Sequence, residues 1–155
     1  KSFNNEVRSK GFTPQTRVLF FQKELPTEEV YEALKITPSD YVYKLVRLRY
    51  ADDQPIVLVT SYIPYKVFPT LNKYDFGKVS LYDTLDSHDC RIVHVKRKLE
   101  VLKADETTAD LLNVDINDPL FYFHTVGTTK NDIKTEYSIA KYRGDNNSFE
   151  IYIDR

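Results

Sequence analysis

The sequence predicts an α+β domain in which a mainly antiparallel sheet carries flanking helices, and three observations predict it. Residues 41–64 (YVYKLVRLRYADDQPIVLVTSYIP) hold two apolar-rich runs hinged at Asp52 and Asp53, the pattern of a β-hairpin. Residues 120–126 (LFYFHTV) and 133–142 (IKTEYSIAKY) repeat that arrangement around a turn at residues 128–132. Between the strands lie short stretches with capping residues and helical spacing, and hairpin-joined strands with intervening helices define this class.

Taken in order, Ser2 caps a helix running to about Lys10, and Gly11 stands where a helix end wants a residue free to take positive φ. Residues 17–22 (RVLFFQ) read as a buried strand. Thr27 caps a second helix with an acidic first turn and a stripe of Val30 and Leu34; Thr37, Pro38 and Ser39 stop it. After the hairpin, Pro69 among aromatics in residues 65–76 predicts a helical turn and loop on the rim of a pocket. Ser80 caps a helix over residues 80–86, with Leu81 and Leu85 on one face. Residues 90–104 alternate charged with apolar positions, the pattern of a half-exposed antiparallel strand. A short helix at residues 107–112 follows, Asp118-Pro119 returns the chain to strand, and residues 149–153 end the sheet.

Side-chain alternation places Tyr43, Leu45, Arg47 and Arg49 on one face of the first hairpin strand. Two arginines sharing a face with large apolar residues indicate a partly enclosed surface into which guanidinium groups project, so an anion is expected there. A three-residue turn at Asp52, Asp53 and Gln54 would pair Ala51 with Pro55, setting Val57 opposite Arg49 and Val59 opposite Arg47. Neither arginine then has a carboxylate across from it; the competing reading is that each pairs with an acid from elsewhere, Glu136 among them. Glu136, Ser138, Ala140 and Tyr142 share a parity, placing an acid and a phenol on one face with small residues between them that leave room for a ligand. The amides capped by Ser80 suit a phosphate or carboxylate, although every helix has such an end.

Other chemistries find little support. Twenty-two basic residues against 23 acidic give no basic excess of the kind a DNA-binding surface shows, and no helix-turn-helix pattern is visible. The chain opens on Lys1 and runs at once into a helical pattern, which predicts a fragment of a longer protein with a module preceding it. A single cysteine, Cys90, excludes an internal disulfide and favours a reducing compartment. No apolar run reaches a membrane span and no signal-peptide pattern is present. His88, Cys90, His94 and His124 offer no familiar metal-ligand spacing, no G-x-S-x-G marks a nucleophile, and glycine is too scarce for a phosphate loop. Asn146-Asn147-Ser148 is a polar turn rather than a glycan acceptor.

The stretch RLRYADDQPIVLVTSYIP (residues 47–64) resembles the core of the UTRA domain, the effector-binding half of GntR-type bacterial transcription factors of the HutC subfamily. Ser2-Phe3, Gly11, SLYD (residues 80–83), Pro119 and EYSIAKYRGD (residues 136–145) match in order and spacing, so the likeness covers nearly the whole chain. It implies a chorismate-lyase-like fold with an effector cleft. It further implies a phosphate grip by Arg47, Arg49, Ser80 and Tyr82, ligand hydroxyls facing Glu136 and Tyr142, and Ser2 and Phe3 in the segment joining cleft to DNA-binding half. Val59 stands at the cleft where many members have a glutamate, so the anion grip is kept while the sugar readout is altered. The implied function is a non-enzymatic sensing and dimerising domain of a cytoplasmic repressor. It would bind a small anionic effector such as a sugar phosphate without cofactor or metal, and reach DNA only through an N-terminal winged helix-turn-helix outside this chain. The alternative from another class is a chorismate-lyase-like enzyme acting on a carboxylated substrate.

Overall fold

The computed structural model describes residues 2–155. Its frame is one six-stranded antiparallel sheet in the order β1-β2-β3-β6-β5-β4. The strands are β1 (Pro14–Glu24), β2 (Val42–Ala51), β3 (Gln54–Pro64), β4 (His94–Lys103), β5 (Pro119–Thr128) and β6 (Lys134–Arg143). Consecutive strands pair within each half, and the β3–β6 ladder, with Val59 opposite Ala140 and Ser61 opposite Ser138, joins the halves. Helices α1 (Phe3–Ser9), α2 (Glu28–Leu34), α3 (Leu81–Asp86) and α4 (Glu106–Leu112) are all short and are held by packing on the sheet more than by their own propensity.

Each face of the sheet has its own core. On one, Tyr43, Leu45 and Ile63 meet Phe68, Leu71, Phe76, Leu81 and Leu85. Of the aromatic stretch after β3, expected at a pocket rim, Tyr65, Pro69 and Asn72 do line an open hollow, while Phe68, Leu71 and Phe76 are buried core, because a sheet face this apolar needs a cover and α3 alone is too short to provide it. On the opposite face Leu48 and Leu120 pack on α4 through Ala109 and Leu112, and Val42 and Tyr137 pack on α2 through Val30 and Leu34.

The capping residues act as expected for α1, where the Asn5 amide donates to Ser2 Oγ at 3.2 Å, and for α3, where the Asp83 amide donates to Ser80 Oγ at 3.2 Å. Gly11, at φ +86°, takes the left-handed conformation that ends α1. Thr27 stands at the N-terminus of α2 but makes no side-chain cap, leaving the acidic Glu28 and Glu29 to complement that end. Asp105, which preceded the helix in the sequence reading, caps α4 by accepting from the Thr108 amide at 2.8 Å.

The hairpin turn is one residue shorter than expected. Ala51 lies opposite Gln54, and Asp52 sits at φ 50° with its carboxylate accepting from the Thr13 amide at 2.7 Å. That tie to the start of β1 selects the two-residue turn. An irregularity between Arg49 and Tyr50 then restores the expected register, with Val57 opposite Arg49 and Val59 opposite Arg47.

Two further expectations are corrected. Residues 90–104 do not form a half-buried strand: β4 begins at His94, pairs only with β5 among the described residues, and is exposed along nearly its whole length because none of the described residues covers it. Residues 149–153 have the alternation of a strand but pair with no strand of the described sheet.

Gly144 follows β6 and donates its amide to the Pro119 carbonyl at 3.0 Å. A Cβ there would overlap that same carbonyl oxygen, which is backbone and cannot swing aside. Gly144→Ala should therefore destabilise the domain by about 1–3 kcal/mol, a fall of roughly 3–10 °C in melting temperature. A thermal melt showing no change would place the β5–β6 end of the sheet differently.

Candidate functional site

One face of the sheet turns charged where its apolar cover stops. Strand pairing puts Arg47 beside Val59 and Ala140, and Arg49 beside Val57 and Tyr142. One row over, Ser61, Ser138, Thr125 and Arg97 follow one another across β3, β6, β5 and β4. The floor of this cleft is thus Val59, Ala140, Ser138 and Ser61, all small or medium, with arginines rising at both sides. Tyr82 of α3 reaches the same face and donates its hydroxyl to Glu136 Oε1 at 2.6 Å.

Arg47 is 6% exposed, and Glu136 is 1% exposed. Among the described residues no carboxylate oxygen lies within 4.0 Å of Arg47, Arg49 or Arg97. The pairing of Glu136 with Arg47 or Arg49 that the sequence left open is therefore not the arrangement found. Arg47 Nε is buried with no hydrogen-bond partner, as is Ser61 Oγ one row away. Buried donors are nearly always satisfied in folded proteins, so an orphaned guanidinium nitrogen on this face is a candidate position for a ligand acceptor.

The electrostatics follow from burial. Desolvation pushes the Arg47 guanidinium below its ordinary range, opposed by the charge of Glu136 and by Tyr82 and Tyr142. Arg49 is pulled down to about 10, first by burial and then by the charge of Arg47, with Tyr142 opposing. Tyr82 is held protonated by burial and then by Glu136, against the pull of Arg97 and Arg47. Burial likewise raises Tyr142, while Arg97, Arg49 and Arg47 lower it. Arg97, Arg49 and Arg47 therefore converge electrostatically on Tyr142, opposed by the charge of Glu6. An anion would relieve both the desolvation and the mutual repulsion.

Of the residues picked from sequence, Arg47, Arg49, Val59, Tyr82, Glu136 and Tyr142 come together on this face. Phe3 joins them from α1, its ring 4.2 Å from the Arg49 guanidinium, and the neighbouring Asn4 accepts from Arg49 Nη2 at 3.3 Å. Thr16 of β1 accepts from Arg49 Nε at 3.2 Å. Ser2 caps α1, and the Ser80 oxygen is occupied in capping α3, which leaves its hydroxyl proton free to donate elsewhere. Arg97 was missed. Its Nε donates to Thr125 at 3.2 Å and its guanidinium lies 5.2 Å from the Phe123 ring. The signal was present in the sequence, a lone charge on the parity occupied by Val93, Val95 and Leu99.

Open hollows also exist away from this cleft, one of about 600 Å³ beside Phe21, Tyr43, Tyr65 and Asn72 and one of about 370 Å³ beside Gln15, Tyr50 and Asp52. Neither contains a buried, unpartnered charge.

The six-stranded antiparallel sheet with short helices on both faces is a fold shared with solved domains of bacterial transcriptional regulators. The effector domain of PhnF from Mycobacterium smegmatis superposes with a TM-score of 0.91, over 99% of this chain and 95% of that one at 21% identity. The C-terminal domain of Yurk from Bacillus subtilis gives 0.82 at 27% identity, over 88% of this chain and 94% of that one. The chain belongs to the UTRA domain family, which it matches over residues 9–147. It is 29% identical over 155 residues to the HTH-type transcriptional repressor NagR of Bacillus subtilis (strain 168), covering 99% of this chain and 63% of that protein. To the HTH-type transcriptional regulator GmuR of the same organism it is 30% identical over 136 residues, 84% of this chain and 55% of that one. The chain thus spans between half and two thirds of the length of these relatives.

Proposed function

We propose that this domain senses a small anionic metabolite, a sugar phosphate or acidic sugar derivative, for a homodimeric cytoplasmic repressor, and catalyses nothing. DNA is contacted through an N-terminal winged helix-turn-helix module outside this chain. The observation that carries the reading is the buried Arg47, with its Nε unpartnered and no carboxylate within 4.0 Å, beside an Arg49 tethered to α1. Arg47 and Arg49 grip the anion together with the Ser80 hydroxyl and Tyr82, while Glu136 and Tyr142 meet ligand hydroxyls. The similarity to NagR supports a regulatory role. So does a 24% identical relative, the mannosyl-D-glycerate transport/metabolism system repressor MngR of Escherichia coli (strain K12), whose system handles a carboxylated sugar derivative.

Transmission uses Arg49. Its guanidinium lies against Phe3 and Asn4 of α1, so an anion that draws it into the cleft competes for Nη2 with the Asn4 carbonyl. A ligand shifts an equilibrium only by its differential affinity for the two states, and this shared donor supplies the difference. α1 then moves relative to the sheet, carrying the preceding module with it.

The test is thermal unfolding of this chain with hexose 6-phosphates, hexuronic acids, glycerate conjugates and inorganic phosphate as reference. A true effector at a hundred times its Kd stabilises by about 2.7 kcal/mol, a rise of roughly 5–10 °C. In parallel, the chain alone should show no sequence-dependent binding to operator-like duplex at physiological salt. Tight duplex binding by the isolated chain, or release of an aromatic product from chorismate, would overturn the reading.

A further inference from the structure

Arg97 reaches the cleft face yet takes no part in the grip formed by Arg47 and Arg49. It ends a polar row of Ser61, Ser138, Thr125 and Arg97, carried in turn by β3, β6, β5 and β4. Ser61, Ser138 and Thr125 are buried, and Ser61 Oγ has no hydrogen-bond partner. β4 itself is exposed, but the Arg97 arm is held inward over β5: Nε donates to Thr125 Oγ1 at 3.2 Å, and the guanidinium lies 5.2 Å from the Phe123 ring. With Nε committed, the two Nη groups are left to bind. Among the described residues no carboxylate oxygen lies within 4.0 Å of them.

This charge acts on the same groups as Arg47, from the opposite side. Burial is the main cause that raises Tyr82 and Tyr142, and of the cations opposing it Arg97 lowers each more than Arg47 does. Glu136 accepts from the Tyr82 hydroxyl at 2.6 Å and forms no ion pair with Arg97. Arg47 and Arg49 rise from one strand, whereas Arg97 rises four strands away, about 19 Å between backbones. Between them lies the low floor of Val59, Ala140 and Ser138. An anion seated on Arg47 and Arg49 therefore faces Arg97 across that floor, and it is the far end of the ligand that meets Arg97.

We infer that the effector carries an acid at each end, a phosphate and a carboxylate joined by a hydroxylated carbon chain, and that Arg97 selects for the carboxylate. The phosphate sits with Arg47 and Arg49. The carbon chain crosses the floor, where the Ser61 and Ser138 hydroxyls, each both donor and acceptor, meet its own. The carboxylate accepts from both Nη groups of Arg97. A planar guanidinium anchored through one nitrogen suits a carboxylate bidentately, whereas a sugar hydroxyl at that place would leave its charge unanswered. The ligand class is thus a phosphorylated sugar acid. This inference rests on the anion-sensing reading given above and adds a second charge to it.

The experiment is calorimetric titration of this chain with matched pairs, each a phosphorylated sugar acid beside the same molecule with its carboxylate reduced to an alcohol. The pairs are 3-phosphoglycerate with glycerol phosphate, 4-phosphoerythronate with erythritol 4-phosphate, and 6-phosphogluconate with sorbitol 6-phosphate. At least one acid is expected to bind roughly tenfold or more tightly than its alcohol. In Arg97→Gln, with its fold checked by circular dichroism and an unliganded melt, that advantage should shrink to about twofold or less while the alcohol keeps its affinity. Acids no tighter than their alcohols at every length, or an advantage that survives Arg97→Gln, overturn the inference. The sensing reading then stands if an alcohol phosphate or another anion of the wider panel binds. Binding by no anion at all overturns both.

Discussion

Replacing Arg47 by methionine is expected to abolish the response to an anionic effector while leaving the unliganded melting temperature within about 4 °C of the parent's. The substitution keeps most of the side-chain volume and removes a buried charge that no carboxylate among the described residues approaches within 4.0 Å. Two effects offset one another in the unliganded domain: the desolvation cost of the guanidinium disappears, and Glu136 loses a neighbouring positive charge while keeping the Tyr82 hydrogen bond. In the complex nothing offsets the loss. A desolvated charge-assisted contact of this kind is worth about 2–5 kcal/mol of affinity, which calorimetry on any effector found in the panel would register. A sharply lowered unliganded melting point with an undiminished ligand-induced rise would make Arg47 a structural residue.

Val59→Glu should act in the opposite direction on the unliganded protein. Val59 is the cross-strand partner of Arg47, on the same face, and Arg47 Nε has no acceptor. A carboxylate introduced there supplies one, and a hydrogen bond to a charged group contributes about 1.5–3 kcal/mol. The unliganded domain should therefore melt higher. An incoming anion must displace that carboxylate, so affinity for a purely anionic ligand should fall by roughly tenfold or more. Higher stability with unchanged affinity would mean that the anion does not use Arg47.

Periodicity made the sheet readable and left its neighbours unreadable. The parity of Arg47 with Arg49, and of Glu136 with Tyr142, follows from strand alternation and holds whatever packs on the sheet. Turn length does not follow from it. Asp52 is pinned to Thr13, a contact 39 residues distant in sequence, and the bulge near Tyr50 cancels the shift. The exposure of β4 was hidden because an alternating pattern says which residues share a face and not whether anything covers that face. For the same reason residues 149–153 read as a strand: the alternation is present, and no strand of the described sheet pairs with it. Arg97 illustrates the converse. Grouped by parity with Val93, Val95 and Leu99, it was counted on the apolar face of a half-exposed strand, whereas the strand order sets it on the same sheet face as Arg47, at the far side of the sheet.

The unpartnered Nε of Arg47 also bears on how long the protein lasts in a cell. A buried guanidinium whose Nε has no hydrogen-bond partner makes the empty domain the weaker form, and any ligand that binds only the folded state lowers the fraction transiently unfolded as its concentration rises above its Kd. Proteases act on that fraction, and a difference of 1–2 kcal/mol changes steady-state abundance several-fold. The metabolite would then set the lifetime of its own sensor: starvation for the effector thins the regulator pool by turnover, and plenty preserves it, a slow memory of supply layered over the fast conformational response.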